Sequence, residues 1–235
     1  MNYTEYIITT LLKRNIRAVE LQETLGKFIN QSMLLEEGLK KFHEERRPKL
    51  YVFSGLYPVE TQSKLYKAGK VYVFRIRSLD EKMITSLISC MKEVSSETFQ
   101  VLATEKKRVA YKPITELVTI TPFIATIDNK PWMPNQHSIG LLMERMHMNA
   151  EKKYKTFYKE ELNCSQFVQR VEITNRKPIA MTYKNIRLLG HKARIFVNSD
   201  EASQKLAFTV LGAGLLEKGS SLGTSFCFAN FLKLN

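Results

Sequence analysis

Hydrophobic and polar residues alternate along the first half of the chain in a pattern that predicts strands and helices in a defined order. A period of two indicates a strand, whereas apolar residues at i, i+4 and i+7 indicate a helix with one buried face. Leu35, Leu39 and Phe42 form such a face. The predicted order is strand Tyr3–Leu12, helices Glu20–Ile29 and Met33–Glu45, strands Leu50–Tyr57 and Gly69–Leu79, helix Glu81–Val94 after the capping residue Asp80, and short strands Phe99–Thr104 and Arg108–Lys112.

The second half of the chain has a similar order of predicted strands and helices. Its predicted elements are strand Val118–Ile127, helix Ser138–Glu161, strands Phe167–Ile173, Ile179–Tyr183 and Arg187–Val197, helix Asp200–Leu211 and strand Ser225–Leu234. Each half therefore has the order βαββαβ, which is the ferredoxin-like arrangement. We predict an α+β protein of two tandem ferredoxin-like domains, residues 1–115 and 116–235, that meet near Pro113–Leu117 without a long linker.

Composition narrows the class of partner. The 235 residues include 36 Lys and Arg against 23 Asp and Glu, a net charge of +13. Such an excess favours a polyanion, either nucleic acid or an anionic membrane surface. The sequence has neither a run of 18 apolar residues nor a secretory signal, so we expect a cytoplasmic protein that does not span a membrane. Three scattered cysteines and four scattered histidines show no metal-ligand spacing, so we expect reduced thiols, no metal and no cofactor.

The positive charge is concentrated in one stretch. Between Ile173 and Ser199 there is no Asp or Glu, and the basic residues include Lys184, Arg187, Lys192 and Arg194. This pattern favours a phosphate-binding surface on the second domain, separate from the corner around His43 in the first domain. The alternative is that these charges only solvate exposed strands.

A glycine-rich loop follows the last predicted helix. Four of the ten glycines lie in Gly212–Gly223, with Lys218 among them. Glycine permits close backbone approach to a phosphate, so the loop favours RNA contact through Gly214, Lys218, Gly219, Ser221 and Gly223. A tight connection that needs glycine only for its geometry is the alternative. The loop lacks the Lys-Ser pair and the preceding strand of a nucleotide P-loop.

His43 is the most interesting titratable residue. It lies one turn before the end of a predicted helix, next to Arg46, Arg47 and Lys49. We expect Arg46 and Arg47 to bind RNA by holding a phosphate against the imidazole. An imidazole can act as general base or acid on a ribose hydroxyl, and a lysine can neutralise charge on a phosphorane, without a metal. The nucleophile would be the 2′-hydroxyl that only RNA carries. Alternatively, His43 only favours the negative end of its helix.

Two motifs give the chain a family resemblance. The segment Phe42-His-Glu-Glu-Arg-Arg-Pro-Lys-Leu-Tyr-Val-Phe-Ser54 resembles the helix-to-strand corner of the CRISPR repeat-processing endoribonucleases of the repeat-associated mysterious protein superfamily. The segment Glu217-Lys-Gly-Ser-Ser-Leu-Gly223 resembles the glycine-rich loop of that family. The motifs lie at opposite ends of the chain, so the resemblance covers nearly all of it.

The resemblance implies a function in concrete terms. The family cuts CRISPR repeat RNA without a metal and leaves a 5′-hydroxyl and a 2′,3′-cyclic phosphate. Its active-site histidine and lysine match His43 and Lys49, whereas Gly26–Asn30 holds no counterpart of the tyrosine that some members carry. The implied partners are CRISPR repeat RNA and, as further candidates, other subunits of a CRISPR effector complex. A non-cleaving RNA-binding subunit of the same superfamily is the alternative function.

Overall fold

Two four-stranded antiparallel sheets organise the chain. The computed structural model describes residues 1–45 and 47–232. The first sheet has the order β3-β5-β1-β6. The elements of this half are β1 Asn2–Leu12, β2 Ile16–Arg17, α1 Leu21–Met33, α2 Glu37–Glu44, β3 Tyr51–Phe53, β4 Leu65–Tyr66, β5 Val71–Ser78, α3 Glu81–Glu93 and β6 Phe99–Ala110.

The second sheet repeats this strand order as β10-β13-β7-β14. Its half of the chain also carries a separate hairpin, β11-β12, that pairs with neither four-stranded sheet. The elements are β7 Ile114–Thr119, β8 Thr126–Ile127, β9 Lys130–Pro131, α4 Ile139–Tyr158, β10 Val168–Ile173, β11 Ile179–Tyr183, β12 Ile186–Gly190, β13 Ala193–Val197, α5 Glu201–Ala213, α6 Gly219–Leu222 and β14 Cys227–Phe231. The predicted mixture of helices and antiparallel strands is confirmed.

The structure corrects several predicted element bounds. The helix predicted at Met33–Glu45 begins at Glu37, and Leu35 is exposed, so the predicted apolar face is wrong at that residue. The two short strands around Lys106 are one continuous edge strand, because its charged side chains face solvent and do not interrupt pairing with β1. The strand predicted across Gly190 is divided there, because Gly190 packs against the Phe123 carbonyl.

The two halves share a core. α5 packs against strands of both sheets. Tyr3 and Leu79, from the first half, are buried in the hydrophobic cluster that α4 and α5 form with the second sheet. The Tyr3 and Phe208 rings lie 5.3 Å apart between centroids. Apolar burial of this kind stabilises the contact between the halves as well as each half.

A buried ionic group also joins the sheets. Arg77 on β5 donates to the Glu5 carboxylate at 2.5 Å and to the Cys227 carbonyl oxygen at 2.6 Å. Its guanidinium carbon lies 4.2 Å from the Phe226 ring centroid. A buried cation is tolerated only when its donors find partners, and here they come from both halves.

Within residues 1–45 and 47–232, no helix is long and apolar enough to span a bilayer. Cys90, Cys164 and Cys227 are free thiols. Burial raises the pKa of Cys227 to about 12 and also raises the pKa of Cys90.

Candidate active site

A cleft of about 370 Å³ separates the corner after α2 from the glycine-rich loop, and we call it the basic cleft. One wall comes from the segment before β3 and the other from the loop and α6. A buried residue of α4 also contributes to the lining. The polar lining of the basic cleft includes Arg47, Lys49, Lys153, Lys218, Ser220 and Ser221. Four cations around one concave surface make it suited to a phosphate group.

Lys49 lies half-buried where the chain turns from α2 into β3. Its ammonium donates to the Phe42 carbonyl oxygen and, at 2.9 Å, to the Glu45 carbonyl oxygen, so it closes the C-terminal end of α2. The ammonium also lies 4.4 Å from the Phe42 ring centroid. Burial lowers the pKa of Lys49, and Arg47 acts in the same direction, against Glu45. Lys49 is therefore a preorganised cation at the edge of the basic cleft.

His43 occupies the last turn of α2 and is exposed. Leu39, one turn earlier, is buried and anchors the helix to the hydrophobic cluster that α1 and α3 form with the first sheet. Phe42, the residue next to His43, supplies the carbonyl that Lys49 binds. The structure thus brings His43 and Lys49 to the same helix end.

Arg46 and Arg47 are the other two basic residues of this corner. Arg47 lines the basic cleft, where it is exposed and forms an ion pair with Glu45. Arg46, also predicted to bind RNA, lies outside the described residues. The tyrosine position of the family corresponds to α1, where Ile29 is buried in the core and Asn30 is half-buried.

Gly214 and Gly223 are tightly packed positions of the glycine-rich loop. Both are buried with positive φ, +81° and +56°. A Cβ on Gly223 would lie less than 3.0 Å from the Phe53 carbonyl oxygen, and one on Gly214 would lie 3.0 Å from Val52. These glycines are needed for close packing between the halves, which is the geometric role that the sequence left open as the alternative to RNA contact.

The middle of the loop does reach the basic cleft. Lys218 has a left-handed backbone conformation, φ +60°, and begins the short helix α6. Gly219, Ser220 and Ser221 follow it along the cleft wall. Gly26 on α1 packs against the Ser221 carbonyl, where a side chain would clash, so α6 is fixed against the first half.

Sequence reasoning missed Lys153. This α4 residue is buried, and its ammonium donates to the carbonyl oxygens of Gly214 at 2.6 Å and Leu216 at 2.8 Å. Burial lowers the pKa of Lys153 to about 7, while Cys227 and Glu217 act weakly in the opposite direction. A signal existed in the sequence, because Lys153 stands three residues after Ala150, on the predicted apolar face of the helix.

The β11-β12 hairpin carries the exposed residues Lys184 and Arg187. Thr182 donates its backbone N–H to the Val19 carbonyl oxygen, so the hairpin reaches across to the first half. The Lys184 and Lys218 ammonium groups lie 5.5 Å and 5.1 Å from the centroid of the same Tyr183 ring. The hairpin and the glycine-rich loop therefore adjoin.

Lys192 and Arg194 are placed differently. Lys192 is half-buried at a mainly apolar cavity of about 460 Å³ between the halves, and this burial lowers its pKa. Arg194 forms ion pairs with Glu116 and, at 3.5 Å, Glu172. The acid-free stretch in sequence is therefore not free of acids in space, because neighbouring strands supply them.

These placements correct the expected separation of the RNA surface from the corner. The loop with Lys218 touches the hairpin on one side and shares the basic cleft with Lys49 on the other. Lys49, Lys218 and Lys184 therefore mark one continuous basic band across both halves. Within the described part of the chain, no cluster of three His, Cys, Asp or Glu side chains could hold a metal ion.

Comparison with solved structures defines the class of fold. A CRISPR-associated protein Cas6 superposes with a TM-score of 0.74 at 18% identity, over 97% of this chain and 99% of that one. A structure described as an RAMP protein binding different RNA substrates gives 0.74 at 15% identity, over 97% and 99%. The chain therefore has the mixed α/β fold of Cas6 proteins.

Sequence comparison identifies a particular relative. The chain is 24% identical over 223 residues to CRISPR-associated endoribonuclease Cas6 2 of Methanocaldococcus jannaschii, covering 87% of this chain and 90% of that protein. No protein-family model matches. The resemblance to the CRISPR repeat-processing endoribonucleases that the two sequence motifs indicated is therefore confirmed, because the chain is similar to a Cas6 endoribonuclease in sequence and to Cas6 proteins in fold over most of its length.

Proposed function

We propose that the protein is a metal-independent endoribonuclease that cuts CRISPR repeat RNA and so matures guide RNAs. The observation that carries this proposal is the position of Lys49. Its ammonium closes the helix end that presents His43, and it lines the same cleft as the glycine-rich loop. An RNA strand held along the basic band would pass this helix end.

In the proposed reaction, the 2′-oxygen attacks the adjacent phosphorus, and the bond from phosphorus to the 5′-oxygen breaks. The 2′-hydroxyl loses a proton and the departing 5′-oxygen gains one, which leaves a 2′,3′-cyclic phosphate and a 5′-hydroxyl. His43 performs one of these proton transfers as base or acid. Lys49 neutralises the charge that accumulates on the phosphorane.

The proposed RNA path follows the basic band. It uses the exposed side chains of Arg47, Lys184 and Arg187, the half-buried Lys218 and Ser221, and the backbone of Gly219. We further propose that residues 1–115 and 116–235 are tandem ferredoxin-like domains in a cytoplasmic protein. The equal strand orders of the two sheets support that division. Other CRISPR effector subunits remain proposed partners.

One assay tests the activity. The protein is incubated with end-labelled repeat RNA in EDTA, beside the same RNA with a single 2′-deoxy nucleotide at the cut. We expect cleavage in EDTA, a product whose 2′,3′-cyclic end resists phosphatase until acid opens it, and no cut at the deoxy position. Cleavage of the deoxy substrate would contradict the proposed chemistry.

A non-cleaving repeat-binding subunit is the second candidate. It is favoured by the lack of a tyrosine on α1 near Ile29 and Asn30, and by the exposure of the His43 side chain. Tight binding of intact repeat RNA without products over hours would select this function.

A further inference from the structure

Lys153 is a buried lysine of the basic cleft that has no ion-pair partner among the described residues. The residue is only 6% exposed, and both acceptors of its ammonium are backbone carbonyl oxygens. Glu217 also lines the cleft and partly offsets the effect of burial on Lys153, but its carboxylate accepts a hydrogen bond from Thr126 at 2.7 Å instead of pairing with Lys153. A buried unpaired charge is costly, so its place at the floor of the basic cleft calls for an explanation.

An ammonium has three N–H donors, and the loop carbonyls take two of them. These two bonds leave the third N–H donor of Lys153, and Lys153 lines the basic cleft together with Lys49 and Lys218. We propose that Lys153 forms the buried floor of a phosphate-binding site, with Lys49 and Lys218 as its walls, and that this site takes a backbone phosphate of the bound RNA. The inference rests on the proposed RNA binding, and it does not require cleavage.

The same lysine positions the loop. Its two bonds hold Gly214 and Leu216, and Leu216 and Lys218 have left-handed backbones with φ of +61° and +60°. Such conformations persist only where the surroundings fix them. Lys153 therefore keeps Lys218 at the cleft wall while it supplies charge to the cleft floor.

A phosphate bound next to the Lys153 ammonium would retain the proton on that group. Since burial brings the pKa of Lys153 to about 7, the free protein loses this proton above neutral pH. The complex loses it only at higher pH, so RNA affinity falls as pH rises above about 7, by up to tenfold per unit.

Several charged groups face Lys153 from the elements around it. Glu217 and Lys218 lie on the loop, Arg47 and Lys49 on the corner, and Cys227 on β14 with Arg77 behind it. The Cys227 thiol stays neutral in this range, because its pKa is about 12. Burial also lowers the pKa of Lys49, so the test must separate the two lysines.

The test measures proton uptake on RNA binding. The probe is a 2′-O-methyl version of the repeat, which lacks the nucleophile and cannot be cut. Calorimetric titrations at pH 7.5 in buffers of different ionisation enthalpy give the number of protons taken up. All proteins carry His43→Ala, so that this imidazole contributes none. We expect net proton uptake by Lys153, because a group with a pKa of about 7 is largely deprotonated in the free protein at pH 7.5 and regains its proton beside the phosphate.

Three further substitutions assign that proton. Lys152→Met is the matched control, because Lys152 is the exposed neighbour on the same helix. It should retain the uptake and the pH dependence. Lys153→Met should remove both and weaken binding at pH 6.5 at least tenfold. Lys153→Arg, which stays charged, should bind at pH 6.5 within a few-fold of wild type without the Lys153-linked uptake.

The outcomes distinguish this inference from the proposed function. Uptake that persists undiminished in Lys153→Arg would overturn the phosphate site, even if RNA is bound and natural repeat RNA is cleaved. If Lys153→Met does not fold, the arginine variant still decides the question. An absence of RNA binding by the wild-type protein would count against the proposed function itself.

Discussion

At the scale of single residues, Lys49 has a structural role at the end of α2 and a proposed role in catalysis. Its ammonium binds the carbonyl of Phe42 in the last turn of α2 and that of Glu45, the residue after the helix. Helix geometry leaves carbonyls at this end without intrahelical partners. A phosphorane would offer the same ammonium a full negative charge, which is a stronger acceptor than a carbonyl. The residue can therefore hold the helix end in the free protein and turn to the phosphate during reaction.

We expect His43→Ala to abolish cleavage and to leave RNA affinity nearly unchanged. Loss of one acid–base group costs about 10²–10⁴ in rate, whereas an exposed side chain contributes little to the fold. Single-turnover cleavage and fluorescence anisotropy measure the two quantities separately. Full activity in this variant would remove His43 from the mechanism.

Lys49→Ala should slow cleavage more than it weakens binding, because the charge is needed most as the phosphorane forms. The rate is measured at saturating protein, and thermal melting controls for the loss of the two bonds that close α2. A raised dissociation constant with an unchanged saturated rate would make Lys49 a phosphate contact only.

At the scale of elements, the glycine-rich loop is fixed by contacts on three sides. Gly214 and Gly223 pack against β3, Ser221 packs against Gly26 of α1, and Lys153 of α4 holds the carbonyls. The loop is therefore a rigid wall of the basic cleft, and its shape depends on residues far away in sequence.

Gly223→Ala should destabilise the protein severely, and Gly69→Ala is its matched control. Both glycines have positive φ, but a Cβ meets Phe53 at Gly223 and nothing within 4 Å at Gly69. The backbone strain of about 1–3 kcal/mol is common to both, and only Gly223 adds an overpacking cost of similar size. Denaturant midpoints measured side by side should differ clearly, and equal midpoints would contradict the packing role.

The sequence predicted strand and helix order well, because burial of one face imposes a period that sequence displays. His43 and Lys49 were also predictable, since they lie six residues apart within one motif. Lys153 and the two loop carbonyls that it binds are 61 and 63 residues apart in sequence, and the packing of Gly214 against Val52 joins the two halves of the chain. Arg194 shows the same limit, because its acidic partners lie on neighbouring strands.

At the scale of the whole molecule, charge is distributed as a band across both halves. The exposed hairpin residues Lys184 and Arg187 continue the line that Lys218 and Lys49 begin. Arg194 already has Glu116 and Glu172 as partners. Contributions to RNA binding should therefore differ sharply among residues that sequence alone treated as equivalent.

We expect the double substitution Lys184→Ala and Arg187→Ala to weaken RNA binding and to flatten its salt dependence. Each lost phosphate contact on single-stranded RNA lowers the slope of log K against log salt by about 0.7. Arg194→Ala is the control and should leave the slope unchanged, because its charge is neutralised within the protein. A flatter slope in the control alone would reverse this assignment.

Because no space is left beside Gly223, the sequences of the two halves constrain each other. Phe53 belongs to one half and Gly223 to the other, and Arg77 spans the same boundary to the Cys227 carbonyl. A chimera that joins residues 1–115 of this protein to the second half of a distant relative would bring together two surfaces whose sequences diverged independently. We expect such chimeras to fold poorly, so recombination at Pro113–Leu117, which looks harmless in the strand order, would be selected against.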